Sequence, residues 1–131
     1  MATIQVFLAD DNSAMLSDLR DELNKEFHIV GAAENGEDAI REVVRLDPDV
    51  LVLDITMPGL NGLQVASRLR HLHSRTKILF LSVHEQAEYI AAAFSAGACG
   101  YVTKRHLASD LSRAIHEVSA GRTFLSPSLH Q

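Results

Sequence analysis

In 131 residues the chain has one cysteine, three prolines, seven glycines and no tryptophan, and each scarcity excludes something. A lone Cys99 can form neither an internal disulfide nor a cysteine-based zinc site, so a reducing, cytoplasmic setting is expected. The glycines spell neither G-x-G-x-x-G nor G-x-x-x-x-G-K-[ST], which argues against a nucleotide-binding phosphate loop. Nowhere do about 18 apolar residues run together, and the first nine residues carry no basic segment and no cleavage pattern, so neither a membrane-spanning helix nor a signal peptide is expected. Basic residues are also few. The 12 Lys and Arg against 17 Asp and Glu leave a formal charge of -5, with seven His counted neutral. A surface of that sign does not hold nucleic acid by neutralising its phosphates.

What is present is enough apolar material, 47%, for one packed domain that buries roughly two-thirds of its unfolded surface. Short β-branched runs alternate with stretches of helical period. Strands are expected at Ile4–Ala9, His28–Ala33, Val50–Asp54, Lys77–Ser82 and Gly100–Thr103, and helices near Ser13–Lys25, Gly36–Leu46, Leu63–His71, Glu85–Ala96 and Ala108–Ala120. This is a (βα)5 pattern, an α/β doubly wound parallel sheet of five strands. Met15, Leu19 and Leu23 share one face of the first helix, and Leu107, Leu111, Ala114, Ile115 and Val118 share a stripe of the last. Strands three and four show no polar alternation and belong in the sheet centre. After Gly121 helical period gives way to Arg122-Thr123-Phe124-Leu125-Ser126-Pro127-Ser128, so residues 1–121 read as the domain and 122–131 as the start of a linker.

Ligands of parallel α/β sheets bind outside the carboxyl ends of the strands. Here those ends carry Asp10-Asp11, Asp54, Ser82 and Thr103-Lys104. With right-handed crossovers and strand order 2-1-3-4-5, strands one and three are neighbours, which brings Asp10, Asp11 and Asp54 together. Carboxylates a few ångströms apart repel by about 1–4 kcal/mol per pair, so a cation is expected among them. Mg²⁺ suits an all-oxygen site that keeps room for phosphate, and Lys104 adds a second positive charge. Taken singly, each residue has an ordinary explanation: an Asp after a strand is usually a cap or turn residue, Asp11 or Asn12 can cap the first helix, Ser82 can open a helix and Lys104 can be solvated. Their coincidence at successive strand ends fits phosphoryl transfer to a carboxylate, which needs a nucleophile, a metal and donors to the phosphoryl oxygens.

Asp10-Asp11, the run Asp54-Ile55-Thr56-Met57-Pro58-Gly59-Leu60-Asn61-Gly62, Ser82, and Ala96-Gly97-Ala98-Cys99-Gly100-Tyr101-Val102-Thr103-Lys104 together closely resemble the receiver domains of two-component response regulators, over nearly the whole chain. The resemblance implies the flavodoxin-like receiver fold. It also implies that Asp54 accepts the phosphoryl group, that Asp10, Asp11, Asp54 and the backbone carbonyl of Thr56 hold Mg²⁺ (Asp10 through water), that Ser82 and Lys104 bond the phosphoryl group, and that Tyr101 is the ring that turns inward when Ser82 moves. Thr56 and His84 are the positions that would set the phosphate's lifetime. The tail, Ala114-Ile115-His116-Glu117-Val118 then Gly121 and Phe124-Leu125-Ser126-Pro127, resembles the NarL/FixJ (LuxR-type) class, in which a helix-turn-helix domain follows the linker; none is present in this sequence.

The expected partners are therefore a sensor histidine kinase, the chain's own helix-turn-helix domain, a second copy on phosphorylation, and DNA only through that further domain, with no membrane. Such a chain is a phosphoacceptor switch that catalyses only its own phosphorylation and dephosphorylation. One departure is Arg105, where many receivers carry proline after a cis bond. The rivals are a nucleotide-binding domain, disfavoured by the acidic loop after strand one; an aspartyl phosphatase, disfavoured because Thr56 stands where its proton donor would; and a receiver-like interaction module that takes no phosphate. His71 and His73 read as solvated, and Cys99 as a buried core thiol.

Overall fold

The computed structural model describes residues 3–129. Five strands form where short apolar runs predict them: β1 (Gln5–Ala9), β2 (His28–Ala33), β3 (Val50–Leu53), β4 (Lys77–Ser82) and β5 (Gly100–Thr103). Between and after them lie α1 (Ser13–Leu23), α2 (Gly36–Leu46), α3 (Gly62–His71), α4 (Ala87–Ser95) and α5 (Leu107–Ser119). The expected sheet of five strands gains a sixth, β6 (Phe124–Leu125), giving the order β2-β1-β3-β4-β5-β6 with every pairing parallel. Phe124 and Leu125 pair with Gly100 and Tyr101. The buried Ser126 then fastens the segment, its hydroxyl accepting from Thr103 N–H at 3.2 Å while its own N–H donates to Tyr101 O at 3.0 Å.

Strand residues alternate between two cores because side chains of a pleated strand point to opposite faces. On one face Val6, Leu8, Val50, Val52, Leu79 and Val102 pack against α1 and α5; on the other Phe7, Leu51, Leu53, Phe80 and Tyr101 pack against α2, α3 and α4. The stripe of α1 is Leu16, Leu19 and Leu23, with Met15 half-buried beside it. On α5, Leu111, Ala114, Ile115 and Val118 are buried and Leu107 is partly so. Cys99 is half-buried against the first core rather than enclosed by it.

Helix starts follow from side chains that satisfy otherwise orphaned amides. Asn12 accepts from Met15 N–H at 3.0 Å, Asn35 from Asp38 N–H at 2.9 Å, and Asn61 forms a capping box with Gln64. Helix α4 begins two residues later than its composition suggests, because Glu85 turns its carboxylate to Thr103 and Arg105. Among the described residues no helix is long and apolar enough to cross a membrane.

Candidate functional site

The ladder hydrogen bonds run one residue past the strand ends and fix the acids there. Asp54 N–H donates to Ala9 O at 3.0 Å and Asp10 N–H to Ala33 O at 3.1 Å. Both side chains therefore leave the same edge of adjacent strands, and an oxygen from each of Asp10, Asp11 and Asp54 lies within 4.8 Å of the others. Asp10 and Asp54 are 3% and 6% exposed, whereas Asp11 is open to solvent. Loop β3–α3 is held close to Asp54 by Gly62, where a Cβ would sit 2.1 Å from the carbonyl oxygen of Asp54.

One ammonium lies between the two buried acids. Lys104 Nζ donates to Asp10 Oδ2 at 2.7 Å and to Asp54 Oδ2 at 3.3 Å. Backbone amides take the remaining oxygens, Asn12 N–H on Asp10 Oδ1 at 2.9 Å and Thr56 N–H on Asp54 Oδ1 at 3.4 Å. Burial raises the Asp54 pKa above the usual carboxylate value, and the charge of Asp10 adds to this against the opposing pull of Lys104. Burial alone would lower Lys104, but its hydrogen bond to Asp10 and the charges of Asp54 and Asp10 outweigh it and leave the ammonium's pKa raised.

The structure brings the other predicted residues to the same rim. Ser82 is fully buried, and its hydroxyl accepts from His84 N–H at 3.1 Å. Tyr101 is also fully inside, donating its hydroxyl proton to His84 O at 2.7 Å; burial raises its pKa. Thr56 Oγ1 meets His84 Nε2 at 3.1 Å. An open groove lined by Val83, His84, Glu85, Gln86, Lys104 and Arg105 leads along this rim. The Lys104–Arg105 peptide is trans.

Two features escape motif reading. Glu85 bridges Thr103 Oγ1 at 2.8 Å and Arg105 at 2.5 Å, tying the β4–α4 loop to the end of β5. Tyr89 stacks on the imidazole of His84, ring centroids 4.0 Å apart and planes 4° from parallel. Their places just past the ends of β4 and β5 were the available signal for Glu85 and Arg105; Tyr89 had none. His71 and His73 lie exposed at the end of α3, outside the acidic cluster.

Known proteins resemble this chain over most of its length. The family model for the response regulator receiver domain matches residues 6–116. The nitrate/nitrite response regulator protein NarL of Escherichia coli (strain K12) is 34% identical over 126 residues, 95% of this chain and 58% of that protein, so the chain spans little more than half of its relative. Among solved structures, a LuxR-family two-component response regulator from Aurantimonas sp. SI85-9A1 matches with a TM-score of 0.93 at 30% identity, over 98% of this chain and 93% of that one. A LuxR-family DNA-binding response regulator from Staphylococcus aureus gives 0.84 at 26% identity, over 90% and 99%.

Proposed function

The chain belongs to the response regulator receiver domain family, and from that premise we propose that it takes a phosphoryl group from a sensor histidine kinase onto Asp54 and so switches a surface that governs a C-terminal helix-turn-helix domain and transcription. The observation that carries this reading is the ammonium of Lys104 held between Asp10 and Asp54 at 2.7 and 3.3 Å, at the carboxyl end of the sheet.

In the proposed reaction an Asp54 oxygen attacks the donor phosphorus in line. The new P–O bond forms as the bond to the donor's nitrogen or oxygen breaks, and that bonding pair departs with the donor. Lys104 already sits beside Asp54 and would turn its charge to a phosphoryl oxygen. Ser82, which accepts from His84 N–H, keeps its own hydroxyl proton to donate to another. Once Ser82 turns toward the phosphoryl group, the β4–α4 loop must follow, and Tyr101 is bonded to that loop through His84 O. Phosphorylation is thus coupled to a surface outside the site. The changed surface is proposed to favour a second copy of the chain, and DNA would be reached only through the further domain.

Three carboxylates facing one ammonium leave two negative charges uncompensated, and their all-oxygen, partly buried donor set fits a hard divalent cation such as Mg²⁺. Asp10, Asp11, Asp54 and the carbonyl of Thr56 would hold it. When bound, it would neutralise charge between the acceptor and the phosphoryl oxygens. Thr56 and His84, meeting over the rim, are proposed to set how long the acyl phosphate survives. Incubation with acetyl phosphate and Mg²⁺ followed by peptide mass mapping is expected to yield one adduct, at Asp54, and none in Asp54→Asn. Equal incorporation in that variant would refute the assignment.

A further inference from the structure

We propose that Tyr89 is a positioning residue: by stacking on His84 it holds a bar across the approach to Asp54 and slows both the loading and the loss of phosphate there. This rests on the reading of Asp54 as phosphoacceptor. The bar joins the two loops that flank that residue. Thr56, on the β3–α3 loop, contacts Asp54 Oδ1 through its N–H and His84 Nε2 through its hydroxyl, the latter at 3.1 Å. His84, on the β4–α4 loop, lies flat against Tyr89 in the first turn of α4, with centroids 4.0 Å apart and planes 4° from parallel.

The backbone of His84 is fixed on both sides, its N–H by Ser82 Oγ and its carbonyl by the Tyr101 hydroxyl. What remains is the direction of the imidazole, which among the described residues Thr56 meets with its hydroxyl and Tyr89 with its ring. Thr56 is exposed, so water competes for its hydroxyl and one such hydrogen bond holds a ring poorly. A parallel aromatic neighbour supplies the missing constraint, because stacking is lost as the imidazole rotates away.

The consequence follows from the geometry of phosphoryl transfer. The entering and leaving groups lie in line with the bond at Asp54, so the donor's departing group and the hydrolysing water both use the solvent side of the strand end, at whose rim Thr56 and His84 meet. Closing the bar hinders both, and opening it raises both rates.

Loading of the full chain by acetyl phosphate and decay of the adduct after donor removal test this, each followed by intact mass. Tyr89→Ala is expected to raise both rates together by about three- to tenfold, the shift that losing one stacked pair produces. Tyr89→Phe, which keeps the ring, should behave as wild type. His84→Ala should show the same rise, and adding Tyr89→Ala to it should change nothing further. Rates unchanged in Tyr89→Ala despite a normal wild-type adduct, a decay that slows, or effects of the two alanines that add would each overturn the inference while leaving Asp54 as acceptor. Failure of the wild type to take any label at Asp54 overturns the functional reading, and the inference with it.

Discussion

Replacing the Asp54 carboxylate by its amide is expected to stabilise the metal-free protein. Asp54 presents an oxygen within 4.8 Å of both Asp10 and Asp11, and at an effective dielectric constant of about 20 each such repulsion costs about 3.5 kcal/mol. Lys104 Nζ, 3.3 Å from Asp54 Oδ2, returns about 5 kcal/mol on the same scale. Solvent around the exposed Asp11 weakens its share, so the repulsions and the attraction nearly cancel, and burial of a carboxylate only 6% exposed decides against the charged form. Asp54→Asn keeps the shape and removes the charge, so a gain of about 1–3 kcal/mol is expected, or roughly 3–10 °C in the unfolding midpoint.

The pH dependence carries a sign. Burial and the charge of Asp10 hold the folded-state pKa of Asp54 above its ordinary value, so folding favours its protonated form. That contribution is fully present below the ordinary carboxylate pKa and is lost as pH rises through the folded value. Wild type should therefore nearly match Asp54→Asn at the acid end, fall behind as pH rises, and run parallel once Asp54 is fully ionised. Mg²⁺ at ten times its dissociation constant should restore about 1.4 kcal/mol to wild type and much less to the variant. Thermal melts in EDTA across the pH range, with and without Mg²⁺, measure all of this. A lower midpoint for Asp54→Asn at neutral pH, or a gap that does not widen as pH rises, would show that the clustered charges do not govern this site.

Two further substitutions test separate parts of the structure. Lys104→Gln removes the cation shared by Asp10 and Asp54, and urea denaturation in EDTA should show a loss of about 3–5 kcal/mol, partly recovered by millimolar Mg²⁺; unchanged stability would mean the ammonium compensates nothing. Ser126→Ala leaves the buried Thr103 N–H without its acceptor, which should cost about 1–3 kcal/mol and speed hydrogen exchange at Phe124 and Leu125, whereas exchange as slow as wild type would mean β6 does not depend on that bond.

How much of this was legible beforehand depended on whether an interaction repeats along the chain or is made once. The apolar runs Val50–Leu53 and Ile78–Leu81 have no polar alternation, and only a strand covered on both faces accepts such a run. The central strands, and with them the strand ends bearing Asp54 and Ser82, were therefore readable from composition. The closeness of Asp10 and Asp54 followed from strand order, because register then aligns Ala9 with Leu53. Strand β6 was not readable in this way. Two residues are too few to show a period, and Phe124-Leu125-Ser126-Pro127 looks like linker; what makes it a strand is the open edge of β5 and the bond from Thr103 N–H to Ser126.

The same distinction explains the residues missed around the site. Met15 lies four residues before Leu19 and Leu16 three, and both spacings share a helix face; in the structure Leu16 is buried and Met15 only partly so. Glu85 meets Arg105 because β4 and β5 pair Ser82 with Thr103, so the residues just past both strand ends are carried to the same rim. His84 and Tyr89 are five apart across a loop and the start of a helix, a separation to which neither strand nor helix period applies. Motifs thus mark the groups that would touch a phosphoryl ligand, whose chemistry restricts residue type. The contacts that orient those groups depend on how neighbouring loops come to rest, and a different ring or ion pair could serve at each place without altering any motif.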